Sequence, residues 1–275
     1  MSLELRYKLI FEGGDADNNR LPAHEGSSSL EGVSWSVSLL AHYVATGAIR
    51  TRGELSPKVR VFISPARQGS FITDLWVVAT EPNNLWMTTI LGSYAVGTIG
   101  QMANSLIVTS VKEVCGIINR VTTKEERWLN GLPSGDREAL VDKIEPSMKR
   151  AHAVIGEGAE TLVIRKGYTP LVTLDHLTKA YVNADLFGEE LTKTVSIGAF
   201  NANSGNGRLY LPEVGKTVPF FVEKGLDQGT YAALSHSLDS YVNNVPSMVD
   251  IVATEVLAND GRIKRLLIKR AYKRP

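Results

Sequence analysis

Residues 194–222 read TVSIGAFNANSGNGRLYLPEVGKTVPFFV, and this stretch decides how the C-terminal part of the chain folds. Thr194–Asn201, Arg208–Leu211 and Thr217–Val222 read as three short strands. Ser204-Gly205-Asn206-Gly207 separates the first two and is a strong hairpin signal, because glycine and asparagine tolerate positive φ. Asp227 is placed to cap a helix whose buried face would be Tyr231, Leu234, Leu238 and Tyr241. Val249–Ala258 and Arg262–Tyr272 then read as two more strands around the turn Asn259-Asp260-Gly261. The order β-β-β-α-β-β predicts a small β-barrel-like domain over residues 191–275. Gly205-x-Gly207 is not a phosphate cradle, since a strand rather than a helix follows it and the third glycine is missing.

Charge is distributed unevenly along the chain. Its 275 residues hold 30 Lys+Arg and 29 Asp+Glu, which excludes a protein that is basic throughout. Residues 262–275 nevertheless carry seven basic groups and no acidic one. Arg262, Lys264, Arg265, Lys269 and Arg270 interleave there with Ile263, Leu266, Leu267 and Ile268. The functional expectation is a surface for an anionic partner, such as nucleic acid or acidic lipid. The competing expectation is a solvated edge strand whose cations deter aggregation.

Upstream, residues 1–81 read as a β-α-β-β unit. Glu4–Phe11 is a strand with Leu5, Tyr7, Leu9 and Phe11 on one face. Ser28 and Glu31 have capping-box spacing, so a helix is expected from Ser28, with Gly47 as its C-cap. Strands at Lys58–Ser64 and Ser70–Thr80 flank a hairpin turn over residues 65–69. The loop after the first strand places Asp15, Asp17 and Asn19 at alternate positions, as a calcium loop begins. Arg20 and Gly26 stand where such a loop needs a glycine and a bidentate glutamate, so no metal is expected. Glu12, Asp15, Asp17, Arg20 and His24 are instead expected to form a ligand or partner loop.

Residues 82–190 read as a central helical region. Residues 82–111 contain no charged side chain. The run is long enough for a bilayer, but asparagines, a glutamine and glycines interrupt it. Trp86, Gly92, Ser93, Gly97 and Gly100 are the residues expected to make an oligomer contact or, alternatively, to enter a membrane. Ser134 is expected to cap a helix over residues 135–144, and Pro146 to kink or restart it. A β-like run at Thr161–Arg165 and a helix at Leu174–Val182 complete the region.

Chemistry-bearing motifs are sparse. Cys115 is the one cysteine, so neither an intrachain disulfide nor a cysteine-based zinc site can form. No Ser sits in a Gly-x-Ser-x-Gly elbow, and no two of the five histidines suggest a metal pair. Neither a catalytic residue nor a cofactor is expected. The charged N-terminus lacks a signal-peptide pattern, and the expected location is cytoplasmic, membrane association following only if the uncharged run inserts.

Several local patterns together resemble a family of uncharacterised bacterial proteins built from domains of unknown function. They are Glu12-Gly13-Gly14-Asp15-Ala16-Asp17 with Arg20, and Arg67-Gln68-Gly69-Ser70-Phe71. Gly205-Asn206-Gly207-Arg208-Leu209-Tyr210, Val218-Pro219-Phe220 and Asp260-Gly261-Arg262-Ile263-Lys264-Arg265 extend the resemblance to the C-terminus. It implies a setting among mobile-element and antiviral-defence genes, and it assigns no activity or ligand. The combined expectation is an α+β protein, non-enzymatic and homo-oligomeric, whose basic C-terminal surface binds an anionic partner. The alternatives are a membrane-inserting effector using residues 82–111 and an enzyme with a dispersed site near the Asp15–His24 loop.

Overall fold

The computed structural model describes residues 2–50, 53–65, 71–91, 96–117, 122–184, 186–222, 227–243, 245, 247–258 and 261–274. The fold is α+β, as expected, and it divides into two units. The first comprises residues 1–132 and 140–183, the second residues 133–139 and 184–275.

The first unit is organised by strand β1, Leu3–Glu12. It lies between β3 (Phe71–Ala79) and β4 (Thr161–Lys166), antiparallel to both. Strands β2 (Val59–Ile63) and β5 (Thr169–Leu174) complete a five-stranded sheet in the order β2-β3-β1-β4-β5. Leu5, Tyr7, Leu9 and Phe11 alternate onto the face that meets the helices, and all four are buried. Each such side chain contributes about 1.5–3 kcal/mol on burial. The boundary expected at residues 81/82 therefore does not exist. Hydrogen bonds join β1 to β4 across it, and one core serves both segments. The break expected at residues 190/191 falls at 183/184.

Helix α1 spans Ala23–Thr46, starting ahead of the expected Ser28 and lacking a side-chain cap. Gly47 ends it in the left-handed region, with its N–H bonded to the Tyr43 carbonyl. A row of small residues on α1 admits another helix closely. A Cβ on Gly32 would stand 2.4 Å from the Ser147 carbonyl oxygen and the Ala151 nitrogen. Ser29 on the same face accepts the Val154 N–H at 3.0 Å.

The uncharged run is spent inside this unit. It forms a 3-10 turn at Pro82–Asn84, helix α2 (Trp86–Leu91) and helix α3 (Val96–Val114). Leu85, Met87, Ile99, Met102, Ala103, Leu106, Ile107 and Val111 are buried in the same core as β1. The polar interruptions find partners within the protein: Tyr7 Oη donates to Asn104 Oδ1 at 3.1 Å, and Ser105 Oγ to Glu125 Oε1 at 2.8 Å. Trp86 packs edge-on against Tyr43, and Gly100 sits over Leu3. Gly97 faces open space, and Gly92 and Ser93 lie outside the described residues. Among the described residues no helix is long and apolar enough to cross a membrane. The buried apolar residues of α2 and α3 thus belong to the chain's own core.

Helix α4 (Thr123–Asn130) carries a complete capping box between Thr122 and Glu125. Helix α5 runs unbroken through Pro146 over Asp136–Ala151, where a kink or restart was expected. Proline removes one intrahelical bond, and the burial of Ile144, Met148 and Ala151 offsets that loss. Helix α6 is His176–Asn183.

The second unit closes on itself. Strands β6 (Leu186–Asn201), β7 (Asn206–Leu211) and β8 (Lys216–Val222) form an antiparallel meander. Helix α7 (Gln228–Val242) follows, capped by Asp227, whose carboxylate accepts the Thr230 N–H. Leu234 is buried beneath it, whereas Tyr241, expected on the buried face, is exposed. Strands β9 (Met248–Leu257) and β10 (Ile263–Lys273) complete a closed barrel in the order β10-β8-β7-β6-β9. All neighbouring strands are antiparallel except β8 and β10. Val195, Ile197, Leu209, Leu211, Phe220, Ile251, Leu266 and Ile268 fill the interior.

The contact at Gly32 makes a stability test. Gly32→Ala drives a methyl group into the backbone of α5 and should destabilise the protein by about 1–3 kcal/mol. Thermal unfolding should fall by roughly 2–4 °C for each kcal/mol. Gly97→Ala, with open space around it, should stabilise by up to about 1 kcal/mol. Equal melting temperatures for the two variants would contradict this account of the helix contact.

Candidate functional site

The barrel's outer surface over β7 gathers an unusual set of buried polar groups. Leu209 and Leu211 point inward, so Asn206, Arg208 and Tyr210 alternate outward. Their partners on β8 are Phe221, Pro219 and Thr217, and on β6 Arg208 pairs with Ala199 and Asn206 with Asn201. Residues 133–139 fold as part of this unit and lie on that surface. Ser134, expected as a helix cap, instead accepts the Phe200 N–H at 2.9 Å. Asn201 Nδ2 donates to Asp136 Oδ1 at 2.9 Å, and Arg208 Nη1 lies 3.3 Å from Glu138 Oε1. Asp136 and Glu138 are each only 6% exposed. Gly135, at φ +80°, fits so closely that a Cβ would stand 2.7 Å from the Asn206 carbonyl oxygen. Beneath it the carboxamide oxygen of Asn206 is buried and has no hydrogen-bond partner among the described residues. Farther along, Tyr210 is 43% exposed.

Residues 202–205 join β6 to β7, with the Gly205 N–H returning to the Asn201 carbonyl at 2.8 Å. Arg262, just ahead of β10, is exposed. A five-stranded barrel with a helix between its third and fourth strands, closed by a parallel pair of third and fifth strands, is the topology of oligonucleotide- and oligosaccharide-binding barrels. In that class the second and third strands, with the loops after the first and fourth strands, form the ligand surface.

The terminal basic strand is distributed differently from the single surface expected. Lys264 is buried and donates to the Ala184 carbonyl at 2.7 Å. Lys269 pairs with Glu190 at 2.8 Å. That hydrogen bond, with Lys269 charge and neighbouring Arg270, holds the Glu190 carboxyl below its ordinary value. Arg262 and Arg270 are exposed, and Arg265 is half-buried. Strand alternation puts Lys264 and Arg265 on opposite faces, and the irregularity between Ile268 and Arg270 interrupts it.

In the first unit the Asp15–His24 loop is a tightly built turn. Asp17 Oδ1 accepts the Gly13 N–H at 2.9 Å, and Asp15 Oδ1 accepts from Arg20 Nε at 3.0 Å and Nη2 at 2.9 Å. The Ala16 N–H bonds the Gly158 carbonyl, and Glu12 Oε1 lies 3.8 Å from Arg165 Nη2. His24 is exposed on the first turn of α1. The carboxylates thus hold the turn together, and among the described residues no group of three metal-binding side chains forms.

Cys115 is fully buried, and desolvation pushes its thiol well above the ordinary value, so it behaves as a small hydrophobe. His152 is also buried, with Nδ1 2.7 Å from the Met148 carbonyl and Nε2 3.0 Å from Thr178 Oγ1. The carbonyl requires the proton on Nδ1. Burial holds the His152 pKa below its ordinary 6.5.

The fold defines a two-unit α+β protein whose second unit is a small closed β-barrel. The chain belongs to the family described as Domain of unknown function (DUF7946), whose model matches residues 7–183. Residues 189–271 match Family of unknown function (DUF7947). No curated protein and no solved structure matches the chain. The sequence reading did not single out Asn201, Arg208, Tyr210, Asp136 or Glu138. The outward alternation of Asn206, Arg208 and Tyr210 was the available signal for the strand. The two acidic residues gave none, because they act on strands distant in sequence.

His152 sets a pH dependence. An unfolded chain binds a proton at His152 below the ordinary 6.5, and the folded chain resists it. His42, lowered by burial and by Arg50, acts in the same direction. The stabilisation from these two groups should therefore be complete above about pH 6.5 and be lost progressively as pH drops below it. Denaturant titrations across that window should show a shallower slope for His152→Gln. An unchanged slope would mean that His152 is not the group responsible.

Proposed function

We propose that the protein is a non-enzymatic binding protein whose barrel takes single-stranded nucleic acid across β7 and β8. The observation that carries this reading is the barrel's closure order together with Arg208 and Tyr210 on its outward second strand. An aromatic ring offers a stacking platform to any base, and a guanidinium beside it meets the phosphate backbone. Arg262, exposed just ahead of β10, adds a second cation. The reading deepens the expectation of an anionic partner and moves its centre from the terminal strand to β7. Fold alone does not specify function, so Tyr210 and Arg208 bear the weight. The bacterial defence or mobile-element setting implied by the resemblance is compatible with a nucleic-acid ligand.

Fluorescence anisotropy with labelled oligothymidylate tests it. Binding should appear at low ionic strength and weaken as salt rises, with a slope of about −0.7 per phosphate neutralised. Tyr210→Ala should lose roughly tenfold in affinity, as expected for one stacked base, and Arg262→Ala should flatten the salt slope. Absence of binding at low salt, in the wild type and in an Asp136→Asn, Glu138→Gln variant alike, would remove the proposal.

A further inference from the structure

Asp136 and Glu138 occupy the polar groups that a nucleic-acid backbone would need. Each carboxylate meets its barrel donor, Asn201 Nδ2 or Arg208 Nη1, as a phosphate oxygen would. Both are buried in doing so, which is costly for a carboxylate unless its pairing is good. The pairing is imperfect on this surface, because the buried Asn206 Oδ1 has no hydrogen-bond partner among the described residues. The covering also stops short. Tyr210 and Thr217 remain exposed, so a base has a platform before the segment is displaced. Ser134, Gly135, Asp136 and Glu138 meet β6 and β7 through hydrogen bonds, an ion pair and close packing.

We infer that residues 134–138 are an internal mimic of the phosphodiester backbone, which covers the β7 surface and is displaced by single-stranded nucleic acid. The inference rests on the binding function proposed above. A ligand would stack first on Tyr210 and then exchange its phosphates for Asp136 and Glu138 at Asn201 and Arg208. The apparent affinity of the resting protein is reduced by the fraction of molecules in which the surface is open.

The test compares oligothymidylate binding by full-length variants at one salt concentration. Asp136→Asn with Glu138→Gln keeps the shape of both side chains, removes their charge, and should bind about tenfold tighter than wild type if the surface is open about a tenth of the time. Glu4→Gln with Glu54→Gln makes the same change in net charge at exposed positions of the first unit and should shift affinity far less. Gly135→Ala changes no charge but forces a methyl group against the Asn206 carbonyl, and it should also tighten binding. Amide exchange at Phe200, whose N–H is held by Ser134, should accelerate when oligothymidylate binds. If wild type and all variants bind equally, and Tyr210→Ala weakens each of them, the binding function stands and the mimic is refuted. If none binds, the binding function itself fails. Slower exchange at Phe200 in the complex would likewise overturn displacement.

Discussion

Three residue pairs close the barrel: Leu266 with Phe220, Leu267 with Phe221, and Ile268 with Val222, all between parallel strands β8 and β10. Parallel neighbours cannot be joined by a tight turn, so the chain must leave β8, cross by α7 and β9, and return. That detour gives the second unit its helix and its strand order. Closure also removes the sheet edges, and it divides each strand into a face that fills the interior and a face turned outward. The outward alternation of Asn206, Arg208 and Tyr210 on β7 has functional meaning only because the ring is closed. Without closure Leu209, Leu211, Phe220 and Ile268 would lose their common core.

The first unit solves a different problem. Its central strand β1 is formed by residues 3–12, while one of its two neighbours, β4, begins at residue 161. The sheet therefore depends on a pairing between strands far apart in sequence. Gly32 and Ser29 supply close approach on α1, and the uncharged α3 supplies a broad apolar surface. The absence of charge over residues 82–111 is explained by this burial. A helix surrounded by protein on most sides carries apolar residues on most of its faces, as a membrane helix does.

The elements were largely legible from the chain. Leu5, Tyr7, Leu9 and Phe11 announce a strand by their alternation, Gly47 announces the end of α1, and Asp227 announces the start of α7. These signals are local, and local chemistry generates them. The start of α1 was misplaced because Ser28 and Glu31 have the spacing of a cap but lie within a helix that begins at Ala23. Strand β5 was missed, and so was the union of two supposed domains in one sheet. Both depend on pairing between residues far apart in the chain. Ser134 is the clearest instance: a serine before a helical pattern reads as a cap, yet its hydroxyl serves Phe200, 66 residues away.

By itself the sequence determined the class of each unit, the order of strands and helix in the barrel, and the separation of charge along the chain. These follow from side-chain periodicity, from turn residues that accept positive φ, and from composition. Only the tertiary structure decided what those features do. The basic strand is divided between a buried lysine, paired cations and exposed arginines, because successive side chains of a strand turn to opposite faces and meet different partners. The uncharged run became core because β1 and α1 present a complementary apolar surface. The acidic turn at Asp136 and Glu138 came to rest on Asn201 and Arg208 because hydrogen bonds and ion pairs are chosen by distance in space, which a linear pattern does not encode.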